Sequence, residues 1–162
     1  MKTTFAALAL SLFGAAAAAP AAAATTSSCP GTAKPFPYSV DDVKLYHLKE
    51  SNTWDLTIQV TERDAAGNAL GSTSCHSAWN DGATYVAREI CADTHYFFWL
   101  PEGAPNPEKW SVIVDGPNGQ GEGVIEFGNK YQCGAYTGTV GNIDRQCTNT
   151  NGGWFFLHER EQ

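Results

Sequence analysis

The chain has one methionine, Met1, only four histidines, and no Asn-x-Ser/Thr sequon. A copper site of the cupredoxin kind needs a methionine beside its histidines and cysteine, so that chemistry is excluded. N-linked glycans are not expected. No window of eleven or more residues keeps a helical apolar period with caps at its ends, which excludes a helical bundle. Basic residues are also few, ten Lys and Arg against 17 Asp and Glu, for a net charge of −7. A chain of that sign repels phosphate backbones, and no basic stripe offsets it. Nucleic acid and anionic membrane are therefore not expected as partners. Gly-x-Ser-x-Gly, the nucleophile elbow, is missing too.

What is present begins with a leader. Met1 to Thr4 carry one positive charge, an apolar run follows from Phe5 to Phe13, and small residues extend from Gly14 to Ala24. That is the layout of a secretory signal peptide over residues 1–24, with a cut after Ala18 or Ala24. The competing reading, an Ala-rich membrane anchor, is disfavoured because the apolar core falls short of the roughly 20 residues needed to span a bilayer. Residues 25–35 read as an N-terminal arm of Ala, Thr, Ser, Pro and Gly without apolar period. Residues 36–162 then form one domain of ordinary size, with no internal repeat.

In that domain the period is that of strands. Trp54, Leu56, Ile58 and Val60 alternate with polar residues, which predicts a half-buried strand. Tyr38 to Leu48 suggests another, bulged at Asp41–Asp42. Ala66-Gly67-Asn68 reads as a hairpin turn before a strand near Leu70–His76. Tyr96 to Leu100 reads as a strand buried on both faces, and Gly116 to Gly123 as a hairpin loop. Asn151-Gly152-Gly153 signals a hairpin before Trp154 to Leu157. Short strands between turn signals predict an all-β fold, a compact barrel or sandwich of antiparallel strands.

Candidate chemistry is sparse. Cys75-His76 with Cys91 and His95 offers two thiols and two imidazoles for zinc, but the secretory route favours oxidised cysteine, so no metal and no cofactor are expected. His47, Glu50, Arg88, Glu89 and His95 are the residue types of a secreted nuclease, but nothing in the sequence fixes their geometry, and no catalytic residue is assigned. Trp79, beside Asn80-Asp81-Gly82, is the candidate for an exposed binding aromatic. All five cysteines, Cys29, Cys75, Cys91, Cys133 and Cys147, follow the leader. With one left over, fifteen pairings are open.

The cysteine layout resembles the fungal Alternaria major-allergen family of small secreted proteins. The resemblance rests on Ser28-Cys29-Pro30 in the arm and Tyr38-Ser39-Val40 opening the first strand. It continues through Cys75-His76-Ser77-Ala78 with Ile90-Cys91-Ala92, then Tyr96-Phe97-Phe98. It ends with Tyr131-Gln132-Cys133-Gly134 and Arg145-Gln146-Cys147. The resemblance implies a single β-barrel, intrachain disulfides Cys75–Cys91 and Cys133–Cys147, and a homodimer tied through Cys29. Each intrachain loop spans about 15 residues and flanks a turn-rich segment, so adjacent strands can bring the sulfurs together. It also implies a non-catalytic effector or allergen that meets host defence proteins or small ligands outside the cell. A small secreted hydrolase and a carbohydrate-binding wall protein are the alternatives. The chain departs from the family at Trp154-Phe155-Phe156, which is unusually aromatic, and in slightly longer loops between paired cysteines.

Overall fold

The structure is a computed structural model that describes residues 36–83, 86–103, 106–150 and 152–160. The leader, the arm and Cys29, with the expected dimer bond, lie outside the described residues. Two antiparallel sheets make the fold. One has the order β3 (Ala69–Asn80), β2 (Thr53–Arg63), β1 (Tyr38–Leu48), β9 (Ile143–Asn149), β8 (Tyr131–Ala135), with β10 (Phe155–Phe156) added beside β1. The other has the order β11 (His158–Glu159), β7 (Gly119–Glu126), β6 (Lys109–Gly116), β5 (Phe97–Leu100), β4 (Val86–Ile90). The sheets do not close into a barrel ring. Their inner faces share one apolar core.

Strand β1 (Tyr38–Leu48) pairs with β2 (Thr53–Arg63) along its length, except at a register shift between Asp41 and Lys44. That is the expected bulge, and Asp42 takes a positive φ of 44° within it. The bulge also separates two partners on the other edge of β1. Lys44 to Leu48 pair with β9 (Ile143–Asn149), and Ser39 and Val40 pair with β10 (Phe155–Phe156). The Gly152 turn therefore does not fold a hairpin. It carries an excursion between two strands that run in the same direction along β1, with Gly152 at φ 64°.

Alternation places side chains as the sequence pattern requires. Trp54, Leu56, Ile58 and Val60 of β2 are buried, as are Thr73, Cys75, Ser77 and Trp79 of β3 (Ala69–Asn80). Trp79 lies directly opposite Trp54 and is only 7% exposed. It therefore belongs to the core, and the exposed binding aromatic expected there is not found. The turn residues that follow begin one position after Trp79, too late to turn its ring outward.

Strands β4 (Val86–Ile90), β5 (Phe97–Leu100), β6 (Lys109–Gly116) and β7 (Gly119–Glu126) form the second sheet with β11 (His158–Glu159). The aromatic run of β5 alternates rather than being buried on both faces. Phe98 and Leu100 point into the core, while Phe97 and Trp99 are half-buried outside. There the Arg88 guanidinium lies 4.1 Å from the Phe97 ring centroid and also contacts Asp115. The expected loop over Gly116–Gly123 is shorter than its glycines suggest. Gly116 pairs with Gly119 across a two-residue turn, Pro117-Asn118, and the remaining glycines lie within β7. Gly121 and Gly123 leave room for other side chains. A Cβ on Gly121 would overlap the Phe36 ring, and one on Gly123 would lie 2.7 Å from the Leu157 side chain.

The sheets are tied at both flanks. At one flank the disulfide Cys75–Cys91 links β3 to the end of β4, and Ala92 N–H donates to Ser74 O at 2.8 Å beside it. At the other, Leu157, 1% exposed, sits between β10 in one sheet and β11 in the other. The second disulfide, Cys133–Cys147, lies within one sheet, between directly opposed residues of β8 (Tyr131–Ala135) and β9.

Three tyrosines stitch this frame. Tyr38 OH accepts from Asn118 N–H at 2.7 Å, Tyr96 OH donates to Glu62 at 3.2 Å, and Tyr131 OH donates to Pro107 O at 2.9 Å. Burial pushes all three phenols above their usual range, and the Glu62 carboxylate adds to the effect at Tyr96 and Tyr38. All three are neutral in both folded and unfolded chains below pH about 10. Above it the unfolded chain loses protons that the folded chain keeps, so stability falls as pH rises. Urea midpoints are therefore expected to be flat just below pH about 10 and to drop above it, with tyrosinate absorbance lagging until unfolding. A midpoint independent of pH through that range would refute the assignment.

Candidate functional site

The aromatic C-terminal segment builds one wall of a surface cleft. This cleft of about 850 Å³ opens where Phe36-Pro37 just ahead of β1, the β2–β3 turn, the Pro117-Asn118 turn and the segment Trp154–Glu159 meet. Its apolar walls are Phe36, Pro37, Trp154 and Phe156. Its polar groups are Arg63, Asp64, Asn118 and Glu159.

Each wall is fixed from behind. Arg63, at the end of β2, donates from Nε to Ser39 Oγ at 2.7 Å, from one terminal nitrogen to Asp41 at 2.8 Å, and from the other to Gly67 O at 3.0 Å. Its guanidinium carbon lies 3.9 Å from the Trp154 ring centroid. A charged plane held on three sides thus sets the position of the indole. Trp154 in turn packs on Phe156, with ring centroids 4.2 Å apart. Phe156 keeps 49% of its surface exposed because β10 is only two residues long and alternation turns this ring outward while Phe155 packs against the core. Asn118 donates from its side-chain amide to Glu62 at 2.7 Å. Asp64 accepts from Asn68 side chain and backbone and from Ala66 N–H, which hold its carboxyl below the usual range and keep the β2–β3 turn closed.

A second, shallower pocket of about 490 Å³ is lined by His47, Trp54, Asp81, Asp144 and Arg145, with Gly134 and Ala135. His47 Nδ1 lies 2.7 Å from Asp144, whose carboxyl this bond holds below its usual range. A base oriented by a carboxylate is one part of an acid–base site. His47 Nε2, however, is buried and has no partner, so the nitrogen that a substrate would have to reach is closed off.

The other nuclease candidates are not brought to His47. His95 bonds Asp93 at 2.9 Å in the loop before β5, and His76 faces Asp55 at 3.1 Å on the outer surface of the first sheet. Arg88 and Glu89 are on β4, and Glu50 is in the β1–β2 turn. Each of these histidines thus has its own local carboxylate rather than a shared centre. The zinc arrangement fails for a direct reason. Cys75 and Cys91 are joined to each other, so no thiolate is left to ligate. Among the described residues no group of three His, Cys, Asp or Glu side chains converges, and no helix is long and apolar enough to cross a membrane.

No family model matches the chain, and no curated protein or solved structure is significantly similar to it.

The sequence pointed to the Trp154–Phe156 segment as a departure but did not assign it to a site. Its partners, Arg63 and Asn118, are distant in sequence, and no local pattern marks either one. Only the pairing of β10 with β1 brings them together.

Proposed function

We propose that the protein is a secreted, non-catalytic recognition protein that binds a host protein or small ligand through the Trp154–Phe156 cleft. The observation that carries this reading is the exposed Phe156 ring, mounted on an indole that Arg63 holds rigid, at the mouth of an open cleft. Exposed aromatics on a fixed support lose little freedom on binding, which is why such residues dominate interface energetics. Two intrachain disulfides suit an oxidising, extracellular setting. The resemblance to the fungal allergen family supports the same setting and an effector role, with Cys29 joining two copies.

The test uses the tagged, disulfide-bonded protein in extracellular fluid of a candidate host. Wild type is expected to retain a discrete set of components that Phe156→Ala loses and Val140→Ala keeps, since Val140 is an exposed residue of the β8–β9 loop, at the Leu48 end of β1 opposite the cleft. Retention by Phe156→Ala equal to wild type would refute the cleft as the contact. Turnover of RNA, glycan or ester that His47→Ala abolishes would instead support the hydrolase.

A further inference from the structure

The charges around the cleft do not balance. Arg63 is the one basic side chain among its described lining residues, and Asp41 already pairs with it at 2.8 Å. Ser39 and the Gly67 carbonyl take further donors of the same guanidinium. The lining carboxylates Asp64 and Glu159 remain, and Glu62 stands directly behind Asn118. None of these three carboxylates forms an ion pair with a basic side chain among the described residues. Arg160, the nearest basic residue in sequence to Glu159, instead faces Glu122 at 3.7 Å and donates to Gln120 at 3.1 Å. The excess negative charge thus borders an aromatic wall, on a chain whose net charge is −7.

Aromatic faces beside carboxylates select one kind of occupant. A cation with an apolar stem lays the stem and its charge against ring faces and its donors against the acids. A neutral aromatic would leave the carboxylates facing it, and an anion would be repelled. The apolar surface does not stop at the cleft. Phe156 also borders a neighbouring groove with Val124, itself 49% exposed, and His158. A single side chain fills only part of such a surface, so a peptide segment fits better than a lone small molecule.

We propose that the cleft is a docking site for a basic segment of a partner protein, with an arginine or lysine side chain laid against Phe156 and its charge between Asp64 and Glu159. This rests on the cleft being the binding surface. Charge complementarity chooses the occupant, since the walls already present are acidic and aromatic.

The probe is the peptide acetyl-Ala-Arg-Ala-Arg-Ala-amide, titrated into ¹⁵N-labelled, disulfide-bonded protein and followed by NMR. Shifts are expected at Gly67, Asn118, Phe156 and the Trp154 indole. The same peptide with glutamate in place of arginine is expected to cause none. Glu159→Gln is expected to weaken binding by about three- to fivefold, the size of a partly exposed charge contact. Glu159 is exposed, so this variant leaves the core intact. Phe156→Ala is expected to abolish the shifts.

Equal binding of the glutamate peptide, or no change in Glu159→Gln, would overturn the proposal while leaving the cleft as a binding surface. The same holds for shifts at these residues with a neutral aromatic but not with the arginine peptide. Concentration-dependent shifts at these residues without peptide would give the cleft to a second copy of the chain and also overturn it. Arginine-peptide shifts scattered over other acidic surfaces, with none in the cleft for any probe, would overturn both this proposal and the cleft reading.

Discussion

Replacing both Cys75 and Cys91 with alanine is expected to lower the unfolding free energy by about 3 kcal/mol, the cost of freeing a loop of this length in the unfolded chain. The two residues are 16 apart, and both sulfurs are buried. The bond does more than close a loop. It ties β3, at the edge of one sheet, to the end of β4, at the edge of the other, and the Ala92–Ser74 hydrogen bond runs beside it. Asp93 N–H also donates to Thr73 Oγ1 at 2.8 Å on this seam.

Loss of the disulfide should therefore speed amide exchange at Ala92 and Asp93 in the folded state. Removing Cys133 and Cys147 is expected to cost a similar amount through the unfolded chain, since that loop has a sequence separation of 14. It should leave exchange at the seam unchanged, because its two strands remain paired in one sheet from Tyr131–Asn149 to Ala135–Arg145. Urea unfolding without reductant measures the first effect and hydrogen exchange the second. A Cys75→Ala/Cys91→Ala protein with the wild-type midpoint would refute the stability estimate, and one with unchanged exchange at Ala92 and Asp93 would refute the seam argument.

Leu157→Ala is expected to cost about 2 to 5 kcal/mol, the range for deleting a buried leucine side chain. Leu157 is where the chain passes from one sheet to the other, and its side chain occupies the space left by Gly123. Phe156, one residue earlier, faces outward, and its truncation is expected to cost about 1 kcal/mol or less. The pair separates stability from function within two adjacent residues. Leu157→Ala should unfold early yet bind through the cleft while folded. Phe156→Ala should stay folded and lose binding. Thermal unfolding beside the peptide titration reads both. Equal stability of the two variants would contradict the assigned directions of their side chains.

The fold class was legible because strand alternation is a local property. Trp54 to Val60 have a period of two, and their burial follows from it directly. The Asp41–Asp42 bulge was legible for a similar reason, since two adjacent acids interrupt the apolar spacing of β1. The errors came where a local signal had two possible outcomes. Glycines at 119–123 signal a loop by composition, yet Gly121 and Gly123 are strand residues cleared for Phe36 and Leu157. Trp79 stands beside turn residues, yet its strand phase turns it inward opposite Trp54. Asn151-Gly152-Gly153 signals a hairpin, yet its two flanking strands share β1 as their partner.

The sequence by itself determined an all-β chain, an acidic surface and strand phases over most of β1 and β2. These follow from composition and from spacing within a few residues. Tertiary structure alone decided the sheet order, the inward turn of Trp79, the separation of the histidines and the assembly of the cleft. Arg63, Asn118 and Trp154 come together only because β10 pairs with β1 and the β6–β7 turn packs against Tyr38. Such contacts join residues far apart in the chain, and the free energy that selects them comes from burial summed over the whole core rather than from any local pattern.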